Sequence, residues 1–509
     1  MIAKVISGAT VGLESVPVEV EVNIESHGFP KFNIVGLPDK AVEEAKERVR
    51  SALKNSSAEF PARRITVNLA PADLPKKGPA YDLPIALGIL LAWDQIRADV
   101  SDALILGELS LDGRLRHTPG VLPMTLLAKE QGFKKIFLPK INAKEAAIVD
   151  GIEVMPVKSI VALFEHFSKL RPIEPQPHTD FETLLSQNED YGFDLADVRG
   201  QDQAKRALEI AAAGGHNILM KGPPGAGKTL LARTIPSILP RLTADEALEV
   251  TKIYSITGNL PRNEPLIKHR PFRAPHHTTS RIGLIGGGSH PQPGEISLAH
   301  RGVLFLDEFP EFPRHVLESL RQPVEDGIVT ITRASGTLTF PAKFILVAAQ
   351  NPCPCGFLGD SKRRCICTRH QIIKYQKRVS GPLLDRIDLH VEVPAVKYEK
   401  LTDEERVGES SKVVRERVQA ARERQQKRFV GTRLTCNAEM TAKNIKKYCV
   451  LDLEEQNFLR QAAVQMNLTA RAYHRILKVA RTIADLAAAQ IIENSHLAEA
   501  LQYRPQREV

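Results

Sequence analysis

A glycine-rich segment between an apolar run and a helical stretch is the part of the sequence best suited to chemistry. It reads Gly222-Pro223-Pro224-Gly225-Ala226-Gly227-Lys228-Thr229 and fits the pattern G-x-x-x-x-G-K-[ST]. Glycines allow backbone N–H groups to surround phosphate oxygens, and the N-terminus of the following helix adds positive potential. Lys228 would reach the β- and γ-phosphates, and the Thr229 hydroxyl would bind magnesium. The segment predicts a site for ATP and Mg²⁺; a chance glycine turn before a helix is the competing interpretation.

Two adjacent acids end a second apolar run. Asp307 and Glu308 follow the strand-like stretch from Gly302 to Leu306. Asp307 suits the magnesium shell, and Glu308 suits polarising a water molecule that attacks the nucleotide. Two solvated acids at the end of a strand would be unremarkable alone. Downstream of a phosphate loop, we expect them to be catalytic.

Three further polar residues follow the acid pair along the chain. Asn351 comes after a third apolar run, where it would either hold the attacking water or end the strand as a turn residue. Arg386 lies between acids, an arrangement typical of surface ion pairs. Arg471 lies at the start of a helical stretch.

The elements that must position these residues fall into successive blocks. With 509 residues the chain is too long for one hydrophobic core. Residues 1–165 mix strand and helix signals, and residues 166–192 form a polar, proline-containing linker. Residues 193–394 alternate strand and helix signals, and residues 395–509 are almost entirely helix-forming. We expect an α/β protein with an N-terminal α/β domain, a core with a parallel sheet, and a C-terminal helical lid.

Composition and charge limit the partners and the cellular compartment that we expect for the protein. Lys and Arg number 69 against 60 Asp and Glu, a formal charge of +9 that permits a polyanionic partner such as nucleic acid. The N-terminus does not read as a signal peptide, and the apolar run from Leu83 to Trp93 is too short to span a bilayer. The 6 cysteines do not look like a secreted disulfide framework. We expect a cytoplasmic protein with no membrane partner.

The phosphate loop, the acid pair, Asn351, Arg386 and Arg471 resemble, in this order, the functional motifs of AAA+ ATPases. The resemblance makes the first two the Walker A and Walker B motifs, Asn351 the sensor-1 residue and Arg471 the sensor-2 residue. It makes Arg386 the arginine finger, which acts on ATP bound by the neighbouring subunit. It therefore implies a homo-oligomeric ring, usually a hexamer. The segment from Asp197 to Gln201 resembles the one that contacts adenine in such proteins.

Longer strings resemble one branch of this class. An insert between the two Walker motifs that contains the stretch from Arg270 to Ser280, and a hairpin signal centred on Ala334-Ser335-Gly336, are similar to those of magnesium-chelatase motor subunits and MCM helicases. The Arg-Pro-Phe-Arg-Ala-Pro-His-His, Asn-Pro-Cys-Pro-Cys-Gly and Ser-Gly-Pro-Leu-Leu-Asp-Arg-Ile-Asp strings resemble the magnesium-chelatase-like ComM/YifB competence-protein family. This implies a hexameric helicase that promotes branch migration when transforming DNA is integrated, or in homologous recombination, with recombination proteins as partners.

Two basic stretches favour DNA independently of the resemblance. Residues 361–378 hold 7 Lys and Arg and no acid, and residues 262–281 carry five basic residues with Phe272 and three histidines. Basic groups beside aromatic faces suit tracking of a single-stranded or branched DNA backbone. A solvated surface or a subunit contact is the alternative. His276 and His277 are interpreted as ordinary turn residues.

The N-terminal block resembles the peptidase domain of Lon proteases. The resemblance rests on the stretches from Lys77 to Leu83 and from Gly107 to Gly113. That domain uses a serine nucleophile activated by a lysine. Ala80 occupies the serine position here, and Leu122 occupies the lysine position. The domain therefore looks like an inactive peptidase fold, and we expect no peptidase activity.

Four cysteines form two C-x-C pairs. Cys353 and Cys355 are separated from Cys365 and Cys367 by nine residues. Four thiolates suit a closed tetrahedral zinc site that would clip the basic loop. Free thiols in a reducing compartment are the alternative, because C-x-x-C is the commoner spacing.

These observations favour an ATP hydrolase that remodels DNA. A chelatase-type motor subunit that remodels a protein partner is the alternative, and the Lon-like block and the cysteine loop count against it. A protease is disfavoured by Ala80. A scaffold without hydrolysis is disfavoured because the hydrolytic residues are all present: Lys228, Asp307, Glu308, Asn351 and Arg386.

Overall fold

The computed structural model describes residues 1–27, 29–185, 191–261, 264–288, 291–333, 336–360, 363–395 and 408–504. The chain divides into two units, Met1–Gln187 with Ala244–Lys268, and Asn188–Thr243 with His269–Val509. Some predicted features lie outside the described residues. These are linker residues 186–190, turn residues 334–335, residues 396–407 after the predicted core boundary, and the basic residues Arg262 and Lys362.

A mixed sheet forms the centre of the first unit. The strands of this unit are β1 (Ile2–Val11), β2 (Glu14–Ile24), β3 (Lys31–Val35), β4 (Arg64–Ala70), β5 (Ala103–Ile105), β6 (Glu108–Leu109), β7 (Leu115–Arg116), β8 (Lys135–Pro139) and β9 (Glu153–Val157). Seven of them pair in the order β3-β4-β2-β1-β5-β8-β9, and β2 runs antiparallel to both of its neighbours. Val18, Val20 and Val22 are buried between exposed or half-buried residues, because successive side chains on a strand face opposite sides.

Helices cover this sheet. They are Lys40–Glu43, Ala45–Asn55, Asp82–Ala92, Val121–Glu130, Ala143–Ala146, Ile160–Phe167 and Phe181–Leu185, with 3-10 turns at Pro79–Tyr81 and Lys140–Asn142. The stretch from Lys40 to Leu53 has helical spacing throughout, but the structure forms two helices there that meet at Glu44. Every residue of Asp82–Ala92 except Leu91 is buried, which explains its unbroken apolar sequence.

The helix Ala244–Ile256 also belongs to the first unit, although its sequence lies within the block 193–394. The buried Glu145 carboxylate explains part of this grouping. It accepts hydrogen bonds from the Ser255 hydroxyl at 2.6 Å and from the Leu122 backbone N–H at 3.1 Å. Burial raises the pKa of the Glu145 carboxyl, and the hydrogen bond from Ser255 opposes the shift. A buried polar network of this kind joins the segment to the helix Val121–Glu130.

A parallel sheet forms the centre of the second unit. The strands here are β10 (Ile218–Lys221), β11 (Phe272–Arg273), β12 (Gly286–Gly287), β13 (Gln292–Pro293), β14 (Val303–Leu306), β15 (Ile328–Arg333), β16 (Gly336–Pro341), β17 (Ile345–Gln350) and β18 (Leu389–Glu392). Five pair in parallel in the order β11-β14-β17-β10-β18. Their carboxyl ends therefore meet at one edge. The predicted hairpin is confirmed as the antiparallel pair β15–β16.

Helices flank this sheet and form the C-terminal lid. The flanking helices are Asp202–Gly214, Lys228–Ile238, Arg281–Ile285, Glu295–Leu298, Arg314–Glu318, Arg321–Asp326, Arg369–Gln376 and Gly381–Leu384. The lid helices are Ser411–Arg428, Ala442–Tyr448, Leu453–Gln465, Ala470–Leu486 and Asn494–Gln502. Short 3-10 turns lie at Leu195–Asp197, Phe309–Glu311 and Asn437–Glu439. The expected α/β fold with a parallel sheet and a helical C-terminal region is confirmed. Among the described helices, none combines the length and apolarity that crossing a bilayer requires.

Candidate nucleotide-binding site

The glycine-rich loop leaves the carboxyl end of β10 and leads directly into the helix Lys228–Ile238. Gly225 and Gly227 adopt left-handed backbone angles, with φ of 75° and 89°, which an L-residue with a side chain adopts only with strain. This bends the loop around the first turn of an 11-residue helix, where unpaired backbone N–H groups attract anions. The local structure therefore suits a bound phosphate chain.

Lys228 lies at the centre of the loop and is only 8% exposed. Its ammonium donates hydrogen bonds to the carbonyl oxygens of Gly222 at 2.6 Å and Pro223 at 2.8 Å. It also donates to Asn351 Oδ1 at 3.1 Å. Burial lowers the pKa of the Lys228 ammonium, and the Asp307 carboxylate opposes that shift. A buried cation whose hydrogen-bond acceptors are neutral oxygens is well placed for a polyphosphate.

Thr229 and Asp307 form the next contact. The buried strand β14 ends just before Asp307, and the Thr229 hydroxyl donates to Asp307 Oδ2 at 2.7 Å. Asp307 Oδ1 accepts from the Glu308 backbone N–H at 2.9 Å. Magnesium prefers oxygen ligands, and a hydroxyl beside a carboxylate at the phosphate loop supplies two of them. These residues fit the expected cation.

Glu308 follows in a left-handed conformation, with φ of 50°. Its side chain is 55% exposed, and its Oε2 lies 3.1 Å from His277 Nδ1. The His277 ring also packs against His276, with a centroid distance of 4.0 Å. The interpretation of both histidines as turn residues did not predict this contact. Periodicity and spacing carry no signal for it, because it depends on how the insert returns to the end of β14.

Asn351 follows β17, next to the loop, as expected of a residue at the carboxyl edge. The segment expected to contact adenine also lies against the loop. The Gln201 amide donates to the carbonyl oxygens of Ala226 at 3.1 Å and Pro394 at 2.6 Å. The structure therefore brings together the loop, Asp307, Asn351 and Gln201.

Arg386 lies at the amino ends of the strands, whereas the phosphate loop lies at their carboxyl ends. It precedes β18, which runs parallel to β10, and its carbonyl accepts from Asn217, the residue just before β10. The four residues of β10 span about 13 Å, so Arg386 and the phosphate loop flank opposite ends of the sheet. The guanidinium, with a side chain 11% exposed, is paired with Glu325 and also donates to the Pro382 carbonyl at 2.8 Å.

Arg471 lies at the start of the helix Ala470–Leu486. The hydrogen bond from Arg386 lowers the pKa of the Glu325 carboxyl, and the charges of Arg471 and Arg475 lower it further. Arg475, one turn later on the helix Ala470–Leu486, lies 3.5 Å from Asp388. Arg386 and Arg475 thus lie beside the start of β18, away from the phosphate loop of the same chain, and Arg471 lies one turn before Arg475.

The four cysteines of the C-x-C pairs converge, with all four sulfur atoms within 4.8 Å of one another. Cys353 Sγ lies 3.4 Å from Cys355 Sγ and 3.7 Å from Cys365 Sγ. The Cys355 backbone N–H donates to Cys367 Sγ at 3.4 Å. Backbone N–H groups of Phe357 and Ile366 lower the pKa of the Cys355 thiol to about 6. This is the arrangement that a tetrahedral thiolate site requires.

Three related families match most of the chain. The family described as magnesium chelatase, subunit ChlI, matches residues 194–401, and its C-terminal family matches residues 408–504. The family described as subunit ChlI of Mg-chelatase matches residues 20–142. Together with the parallel sheet, the phosphate loop and the helical lid, these matches define an AAA+ protein of the magnesium-chelatase type.

Individual relatives narrow this class. The chain is 45% identical over 504 residues to the competence protein ComM of Haemophilus influenzae, covering 99% of this chain and 97% of the relative. It is 44% identical over 497 residues to the protein YifB of Escherichia coli, covering 97% and 96%. The magnesium-chelatase 38 kDa subunit of Cereibacter sphaeroides is 26% identical over 180 residues, covering 31% and 53%. The chain belongs to the ComM/YifB family of magnesium-chelatase-like proteins.

Proposed function

We propose that the protein is an ATP hydrolase whose subunits assemble into a ring, as a hexamer, and move branched or single-stranded DNA. The observation that carries the proposal is the separation of Arg386 from the phosphate loop of its own chain, at the other end of β10. An arginine at the far edge of the sheet is useful for hydrolysis when a neighbouring subunit presents its nucleotide there. The competence relative supports DNA as the material that is moved.

Each residue of the site has a task in this proposal. Lys228 and the loop N–H groups hold the phosphates, and Thr229 with Asp307 holds magnesium. Magnesium, when bound, neutralises part of the phosphate charge. Asn351 orients the attacking water and Glu308 accepts its proton. The neighbour's arginine finger and sensor-2 residue, Arg386 and Arg471, stabilise the charge that develops on the phosphoryl group.

A branch-migration assay on a three-strand DNA junction tests the proposal. The wild-type protein should move the junction only when ATP is present, and neither Lys228→Ala nor Glu308→Gln should move it. DNA binding by both variants would show that they fold and that the defect lies in the binding or hydrolysis of ATP. ATP turnover by the wild type without DNA binding or stimulation would remove the DNA motor and leave the ATPase.

A chelatase-type motor subunit is the second candidate, because all three matching families are named for magnesium chelatase. Such a motor uses ATP to remodel a protein partner. Its ATP turnover would respond to that partner and stay constant when DNA is added. DNA-stimulated turnover would exclude this candidate.

We also propose that the first unit is a peptidase-like domain kept for assembly or DNA contact. Ala80 lies in the short turn Pro79–Tyr81 and is 8% exposed, and Leu122 is fully buried. Neither a methyl group nor an isobutyl group can act as nucleophile or base. The unit is therefore proposed to act through its surface.

We propose zinc for the four-cysteine cluster. Metal analysis of the purified protein should find about one zinc per chain, as a closed tetrahedral site requires. Cys365→Ser should lose it. Cys436→Ser provides the matched control, because Cys436 is a buried free cysteine outside the cluster. Zinc content well below one per wild-type chain would contradict the proposal.

A further inference from the structure

A groove of about 700 Å³ lies beside the acid pair in the second unit. One wall is the segment that follows Glu308, and the other is the helix Arg369–Gln376 with the two residues after it. Its lining is Pro310, Glu311, Phe312, Pro313, Arg314, His370, Ile373, Lys374, Lys377 and Arg378. The second wall directly follows the cysteine cluster, whose last member is Cys367.

The groove is strongly basic. Its single acid, Glu311, is paired with Arg378, so the remaining cations are in excess. Lys374 and Lys377 are exposed, and within the described part of the chain neither pairs with a carboxylate. His370 and the 40%-exposed Ile373 lie on the same wall. Cations beside an exposed ring and an apolar side chain match a single-stranded nucleic acid, which offers phosphates and flat bases.

The helical wall contacts the nucleotide site at one point, and the cysteine loop that precedes it contacts the site at a second. The Tyr375 side chain is buried; burial raises the pKa of its hydroxyl to about 12, and the nearby Asn351 backbone opposes that shift. Gly356, which follows the first cysteine pair, packs on the phosphate loop. A methyl group added at Gly356 would lie 2.5 Å from Pro224 Cδ, a distance that atoms do not adopt. A shift of this wall would therefore move Asn351 or the loop.

The opposite wall is connected to the nucleotide site directly by the backbone. The 3-10 turn Phe309–Glu311 begins directly after Glu308. Arg378 pairs with Glu311 and so ties the helical wall to this turn. Both walls of the groove are thus attached to residues of the nucleotide site, and the cysteine cluster holds the helical wall at its start.

We propose that this groove binds the sugar–phosphate backbone of single-stranded DNA, and that Tyr375 and Gly356 transmit its occupancy to Asn351 and the phosphate loop. The inference rests on the proposed DNA motor and names the surface through which DNA would change ATP turnover. It also gives the cysteine cluster a role, which is to fix the position of the helix Arg369–Gln376 relative to the loop.

The test uses the double charge reversal Lys374→Glu/Lys377→Glu in the full-length protein. Fluorescence anisotropy with an oligothymidylate measures binding at several salt concentrations, and ATP turnover is measured with and without the oligonucleotide. We expect binding at least tenfold weaker and a loss of DNA stimulation. The salt dependence, as the slope of log K against log salt, should fall by about 1.4 for two lost phosphate contacts.

The matched control is Lys443→Glu/Lys446→Glu, which reverses two exposed lysines of the same spacing on the lid helix Ala442–Tyr448. It should bind DNA as the wild type does. If the groove and control variants bind DNA equally, the groove inference fails while the DNA motor stands. If the wild type itself does not bind, the proposed function fails. If sedimentation shows that only the groove variant loses its assembly, the groove is a subunit contact and the inference is overturned.

A second variant tests the transmission separately. Tyr375→Phe removes the hydroxyl that meets the Asn351 backbone and keeps the ring. It should retain DNA binding and lose at least half of the DNA stimulation of ATP turnover. Tyr448→Phe, on the lid helix, should keep full stimulation. Full stimulation in Tyr375→Phe would contradict the transmission through Asn351.

Discussion

The pairing of Arg386 with Glu325 predicts that Glu325 restrains the proposed arginine finger. To act on a neighbour's nucleotide, the guanidinium must leave Glu325. The Glu325 side chain is 49% exposed, so solvent screens the pair and its contribution is at most about 1 kcal/mol. Removing that restraint would raise the population of free guanidinium by up to about fivefold.

The perturbation is Glu325→Gln, which removes the charge and keeps the size of the side chain. Steady-state ATP turnover, measured at saturating ATP and a protein concentration at which the ring is assembled, should rise by about two- to fivefold. Arg386→Ala should lower turnover by about a thousandfold. Glu318→Gln is the control, because Glu318 pairs with Arg321 at 3.0 Å instead of with the finger, and it should leave turnover unchanged.

A different result would refute this reasoning. If Glu325→Gln lowered turnover as severely as Arg386→Ala, the carboxylate would be part of the hydrolytic machinery, and its pairing with Arg386 would not be a restraint. Equal turnover in Glu325→Gln and wild type, with Arg386→Ala inactive, would show that the pair does not form in the ring.

Three further predictions follow from individual contacts. Arg48→Ala should destabilise the first unit by about 3–5 kcal/mol in chemical denaturation, because it leaves the fully buried Asp82 carboxylate without its cation, and a loss below 1 kcal/mol would contradict this. Burial lowers the pKa of His390 to about 4, so the unfolded chain binds a proton that the folded chain does not. The free energy of unfolding should keep its full value above the ordinary histidine pKa and should fall by about 3 kcal/mol between about pH 6.5 and 4. In a series of melting curves, His390→Gln should remove that loss. His277→Ala should raise ATP turnover measured without DNA, because it frees the Glu308 carboxylate, whereas His276→Ala should not; equal rates in the two variants would show that the His277 contact has no effect.

The elements that depend on local sequence were predictable. The loop before the helix Lys228–Ile238 follows from glycine placement and a helix start within one segment. The parallel sheet follows from alternating strand and helix signals, and the hairpin β15–β16 from two polar–apolar alternations around a turn. Helix ends were less well predicted. Lys40–Glu43 and Ala45–Asn55 are separate helices, although their composition reads as one.

Features that depend on contacts between distant segments could not be predicted from the sequence. The distance of Arg386 from the phosphate loop follows from the parallel pairing of β10 with β18. The contact of His277 with Glu308 depends on the path of an insert. The grouping of Ala244–Lys268 with the first unit depends on a buried carboxylate that spacing does not reveal. Residue types predict the chemistry of the site, and the fold places Arg386 away from the phosphate loop of its own chain.

A subunit-mixing experiment tests the central claim, that each hydrolytic site is shared between two subunits, most directly. Arg386→Ala and Lys228→Ala proteins should each be inactive alone. In rings mixed at equal amounts, about one interface in four combines an intact phosphate loop with an intact finger. ATP turnover should therefore recover to about a quarter of the wild-type rate. No recovery, in mixtures shown by sedimentation to form mixed rings, would contradict the shared site.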